Sequence, residues 1–79
     1  MSKLKEIRER NGLSQKQLAE EMDISVRTLQ AYEQGARDFA GARLDTILNT
    51  CITLKCTLEE MFTGEYEIFK LIKRYEKQQ

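Results

Sequence analysis

The chain has no histidine, no proline and no excess of either charge. Without histidine, the commonest general base and the commonest metal ligand are both missing. Cys51 and Cys56 have no further cysteine or histidine with which to complete a zinc site. A glycine-rich phosphate loop and a nucleophile–base pair are absent too, so we expect no metal, no cofactor and no enzymatic activity. No charged-then-apolar leader opens the sequence, and no apolar run approaches the length of a membrane span. We therefore expect a cytoplasmic protein with no membrane contact, its two thiols free in a reducing compartment.

The 79 residues form one small domain. Thirteen Lys and Arg stand against thirteen Asp and Glu. The balance holds at 7 against 7 in residues 1–40 and 6 against 6 in residues 41–79. No global basic field exists, so binding to nucleic acid would rest on locally placed cations.

With no proline, and glycine only at Gly12, Gly35, Gly41 and Gly64, little interrupts a helix between those points. Strand-like alternation is missing, so the chain is expected to be all-α. Leu4 and Ile7 mark a first helix over about 2–10. Ser14-Gln15-Lys16-Gln17 is a capping box opening a second helix that buries Leu18, Ala19 and Met22. Asp23 interrupts it, and Asp tolerates the left-handed conformation a tight turn requires. Ser25 is an N-cap for a third helix that buries Leu29 and Tyr32 and runs to Gln34. Residues 36–41 read as a polar loop containing Phe39. Leu44, Ile47, Leu48 and Cys51 give a fourth helix one apolar stripe. Thr57-Leu58-Glu59-Glu60 is a second capping box opening a short fifth helix. From Glu65 a sixth begins, with Ile68, Leu71, Ile72 and Tyr75 at helical spacing and Tyr66 and Phe69 widening the stripe.

Two short helices joined by a three- or four-residue turn constitute a helix-turn-helix when the outer side of the second is exposed. Ser14-Gln15-Lys16-Gln17-Leu18-Ala19, Ile24-Ser25, Leu29 and Tyr32-Glu33-Gln34-Gly35 closely resemble the phage Cro and repressor type, the XRE family of bacterial transcription regulators. The resemblance runs over roughly residues 3–63 and departs from the family in placing Asp23 where a turn glycine is frequent. It implies a compact five-helix, lambda-repressor-like DNA-binding domain over 1–64, with the helix-turn-helix at about 14–35. Residues 65–79 are then an added helical extension.

On a helix starting after Ser25, the outward positions are Ser25, Val26, Arg27, Gln30 and Ala31. Arg27 has the donors for guanine O6 and N7, Gln30 the fork for adenine N6 and N7, and Val26 a surface for a thymine methyl. The resemblance implies base contacts at Val26, Arg27 and Ala31. Arg27 and Gln30 can equally be read as solvated surface. Gln15 stands in the first turn of its helix, where free N–H groups attract anions. Lys16, Arg37 and Arg43 are nearby cations for DNA phosphates, or simply solubility residues. Arg8 and Glu33 match positions that often hold a structural ion pair in the resembled family.

The stripe at Ile68, Phe69, Leu71, Ile72 and Tyr75 is wide enough either to cap the core or to pair two copies. A homodimer would suit two half-sites on double-stranded DNA. The function expected is a transcriptional regulator that reads the major groove with residues 25–34 and represses by occupancy. The alternative is a protein-interaction module, antitoxin-like or a co-regulator, with the last helix as its binding face.

Overall fold

A computed structural model describes residues 2–78. Among them are six α-helices and one 3₁₀ turn, with no strand. They are α1 (Leu4–Arg10), α2 (Gln15–Met22), α3 (Val26–Gln34), α4 (Leu44–Leu54), α5 (Leu58–Met61) and α6 (Tyr66–Lys77). The 3₁₀ turn, Phe39–Gly41, lies in the loop before α4.

Local chemistry sets most of the boundaries. Ser14 Oγ accepts from the Gln17 N–H at 3.0 Å while Gln17 Oε1 accepts from the Ser14 N–H at 2.8 Å, so α2 opens on a closed capping box. Asp23 ends α2 in the left-handed region at φ 57°, and two residues later Ser25 Oγ accepts from the Thr28 N–H to start α3. Gly35 closes α3 at φ 80°, a value glycine adopts without steric cost. Lys55 ends α4 in the same region without being glycine. Thr57 caps α5 through the Glu60 N–H. The carboxylate of Glu60 is turned to Arg10 of α1 at 2.8 Å, an ion pair that draws it away from the reciprocal half of the box.

Every helix contributes to a single core. Leu4, Ile7, Leu18, Ala19, Leu29, Phe39, Leu54, Met61 and Phe62 are almost wholly excluded from solvent, with Met22, Ile47, Cys51 and Ile72 beside them. Ala19, on α2, is buried among the core residues of the neighbouring helices. Phe39 is wedged between Tyr32 of α3, edge-on at 5.2 Å, and Phe62, stacked at 5.9 Å. That sandwich ties the end of α3 to α5. Tyr32 is only half-buried, packed partly on this core beside Phe39.

Two apolar stripes differ from the sequence reading. Leu44 and Leu48 are 67% and 40% exposed, so α4 turns Ile47, Cys51 and Leu54 inward instead. Ile52, at 72%, is also exposed. On α6, Ile72 is a core residue rather than part of an outer face, since α6 lies against α5 and is held there by Lys73 and Glu59 at 3.4 Å. Ile68 packs partly on the same core. Phe69 is half-buried with the Lys73 ammonium 5.4 Å above its ring. Leu71 and Tyr75 remain outside.

Both cysteines are free, Cys51 buried and Cys56 half-buried. Burial, with the neighbouring Cys56 thiol, pushes the Cys51 thiol up from 9.0 to about 12. The folded state therefore holds this proton more tightly than the unfolded chain does. Its contribution to stability is complete below pH 9.0 and is lost as pH rises toward about 12. In reducing buffer, the urea midpoint should fall across that window by more in the wild type than in Cys51→Ala. Equal slopes would contradict the assignment.

Candidate nucleic-acid interface

The α3 helix packs against α1 and α2. Leu29 and Glu33, one turn apart, are its buried residues. The Arg8 guanidinium grips Glu33 with two bonds, Nε to Oε2 at 2.7 Å and Nη2 to Oε1 at 3.1 Å. Its third arm, Nη1, donates to the Leu13 carbonyl at 2.8 Å in the loop between α1 and α2. The two side chains are only 9% and 2% exposed. Hydrogen bonding to Glu33 holds Arg8 above its ordinary pKa in spite of burial, so the guanidinium stays charged.

On the opposite side of α3 lies a row of accessible side chains. At about 100° per residue, Arg27 and Ala31 lie roughly 160° from Leu29. Arg27 is exposed and, among the described residues, has neither a hydrogen bond nor an ion pair. Ala31 is half-buried and presents only its methyl group. Gln34, exposed at the end of the same face, was not singled out from the sequence, though its spacing of seven from Arg27 was there to find. Val26 is half-buried and packs partly on the core, which leaves part of its surface outward. The Ser25 hydroxyl is engaged at both ends, accepting from the Thr28 N–H and donating to Thr28 Oγ1 at 3.0 Å.

Gln30 and Gln15, assigned separately from the sequence, are joined. Gln30 Nε2 donates to Gln15 Oε1 at 3.2 Å, and Gln15 Nε2 donates to Glu33 Oε1 at 3.1 Å. The Gln15 side chain is thus turned to α3, leaving its main-chain N–H in the first turn of α2 as the anion-binding group.

The cations are unequal. Lys16 is exposed with no partner among the described residues. Arg37 lies over the Tyr32 ring at 5.3 Å, a cation–π contact that fixes it beside the end of α3. Arg43 donates to Asp45 at 3.0 Å and shares a cleft with Glu21 and Asp23, so acidic neighbours already draw on its charge. Within residues 14–35, Lys16 and Arg27 face Glu20, Glu21, Asp23 and Glu33. Glu33 is neutralised by Arg8. At 100° per residue, Glu20 and Glu21 lie about 140° and 120° around α2 from Gln15, away from the row on α3.

A helix-turn-helix family model matches residues 4–53 of the chain. The chain belongs to this helix-turn-helix family. It is the XRE type, a family of DNA-binding regulators rather than enzymes, and the match runs from the start of α1 almost to the end of α4. No curated protein and no solved structure matches the chain. In this helix-turn-helix, α2 is the supporting helix, Asp23 makes the turn and α3 is the helix with a free outer face. Among the described residues, no helix is long and apolar enough to cross a membrane.

Proposed function

We propose that the protein is a sequence-specific transcriptional regulator that inserts α3 into the major groove of duplex DNA and represses by occupying an operator. The observation that carries this is the unpartnered guanidinium of Arg27, on the face of α3 opposite Leu29 and Glu33. Its fork fits guanine O6 and N7. Gln30 reads an adenine edge, while Ser25 and Val26 supply close contact at the entry of the helix and Ala31 further along it. The main-chain N–H of Gln15, with Lys16, Arg37 and Arg43, contacts phosphates and sets the register.

A second copy completes the reader. Leu44 and Leu48 of α4 join Leu58, Leu71, Ile72 and Tyr75 around a groove of about 470 Å³. A 79-residue chain with this much contiguous exposed apolar side chain has a surface suited to association. A twofold pair would place two α3 helices one helical turn, about 10 base pairs, apart. The same apolar groove favours a second reading, in which the chain is an interaction module for a different protein.

Salt dependence separates the two. Three phosphate-neutralising cations per protomer give a slope of log K against log salt of about −2.7 per protomer, whereas apolar association hardly responds. Arg27→Ala should cost about 1–3 kcal/mol and relax preference at one base pair. Equal weakening on every duplex would make Arg27 a phosphate contact instead. Competition titrations against duplexes with single base-pair changes provide the measurement.

A further inference from the structure

We infer that Gln15 is a positioning residue that fixes the base preference of Gln30 from a helix that reads no base itself; this rests on the reading of α3 as the recognition helix. Four connected side chains fix one another's polarity. Arg8 has only donors, so it points them at Glu33. An ionised Glu33 has only acceptors, and its Oε1 takes Gln15 Nε2 as well as Arg8 Nη2. The amide of Gln15 therefore cannot turn over. With its NH₂ side turned to Glu33, the amide presents its oxygen to Gln30, and only the NH₂ of Gln30 can meet an oxygen.

Gln30 is left with its carbonyl oxygen and one N–H free. That is the pair of groups that adenine N6 and N7 require, already turned in one sense before DNA arrives. Glu33 lies in the core, whereas Gln15 and Gln30 are half-buried. The chain thus runs from a rigid buried ion pair outward to a base-reading amide. Preorganisation of this kind removes the cost of ordering a flexible side chain on binding.

The test uses Gln15→Met, which keeps the length of the side chain and removes both of its hydrogen bonds. Binding is measured on the duplex that the wild type enriches from a random pool, and on the same duplex with each base pair changed in turn. The inference expects discrimination to fall about three- to tenfold at the base pair read by Gln30, with the other positions unchanged. In combination with Gln30→Met, the two losses should not add. Unaltered discrimination, or equal weakening at all positions, would overturn it. If the wild type enriches no sequence at all, the DNA reading falls and takes this inference with it. Should Gln15→Met fail to fold, NMR of the unbound wild type decides instead. A single ordered Gln30 side-chain amide near Gln15 is expected, and a rotamer-averaged one would overturn the inference.

Discussion

Replacing Arg8 by alanine is expected to destabilise the domain by about 3–5 kcal/mol, far beyond the 0–1 kcal/mol typical of surface pairs. The reason is what the substitution leaves behind. Glu33 would be left without its cation in a side chain 2% exposed, having lost two of the three hydrogen bonds its carboxylate accepts. The Leu13 carbonyl would lose its donor as well. For a domain of this size such a loss is a large fraction of the total, since small proteins are stable by only about 5–15 kcal/mol. Urea denaturation measures it directly, and a midpoint and slope equal to the wild type's would contradict the account. Removing both partners, as in Arg8→Met with Glu33→Leu, should cost much less, because no uncompensated charge is then buried. That double variant should nonetheless lose discrimination at the base pair read by Gln30, because Gln15 loses the acceptor that orients it.

The second large effect concerns assembly. Leu71→Glu places a carboxylate on the apolar surface shared by α4 and α6, where Leu71 is 54% exposed. An exposed substitution of this kind leaves the fold within about 0.5 kcal/mol of the wild type. The dimer, by contrast, would have to bury two charges. Sedimentation at tens of micromolar should shift from dimer to monomer. Losing the linked second half-site should weaken operator binding by about 10²–10⁴. A wild type that sediments as a monomer both with and without DNA would contradict the dimer, and unchanged operator affinity in Leu71→Glu would contradict the location of its surface.

What the sequence made legible was chiefly local. The box at Ser14 and Gln17, the cap at Ser25 and the left-handed turn at Asp23 all depend on residues within three or four positions of one another. They could be read without knowing the fold. The α4 helix was harder: Leu44, Ile47, Leu48, Cys51, Ile52 and Leu54 spread over an arc of about 160°, and periodicity does not say which half of it the neighbours will cover. The structure covers the arc of Ile47, Cys51 and Leu54 and leaves Leu44, Leu48 and Ile52 out. On α6 the stripe was visible, but its division into Ile72 inside and Leu71 and Tyr75 outside depends on where α5 lies. The left-handed Lys55 gave no signal, having neither glycine nor asparagine chemistry. The least legible feature was the bond between Gln15 and Gln30, fifteen residues apart. It exists only because α2 and α3 cross at that point, and each residue taken alone pointed to DNA rather than to the other.

The central claim is that the outer face of α3 reads duplex sequence, and the most direct measurement is selection of bound duplexes from a random-sequence pool near 100 mM salt. The account expects the wild type to enrich a short inverted repeat with half-site centres about 10 base pairs apart, and Arg27→Ala to blur one position in each half. A folded wild-type protein that enriches no sequence would contradict it.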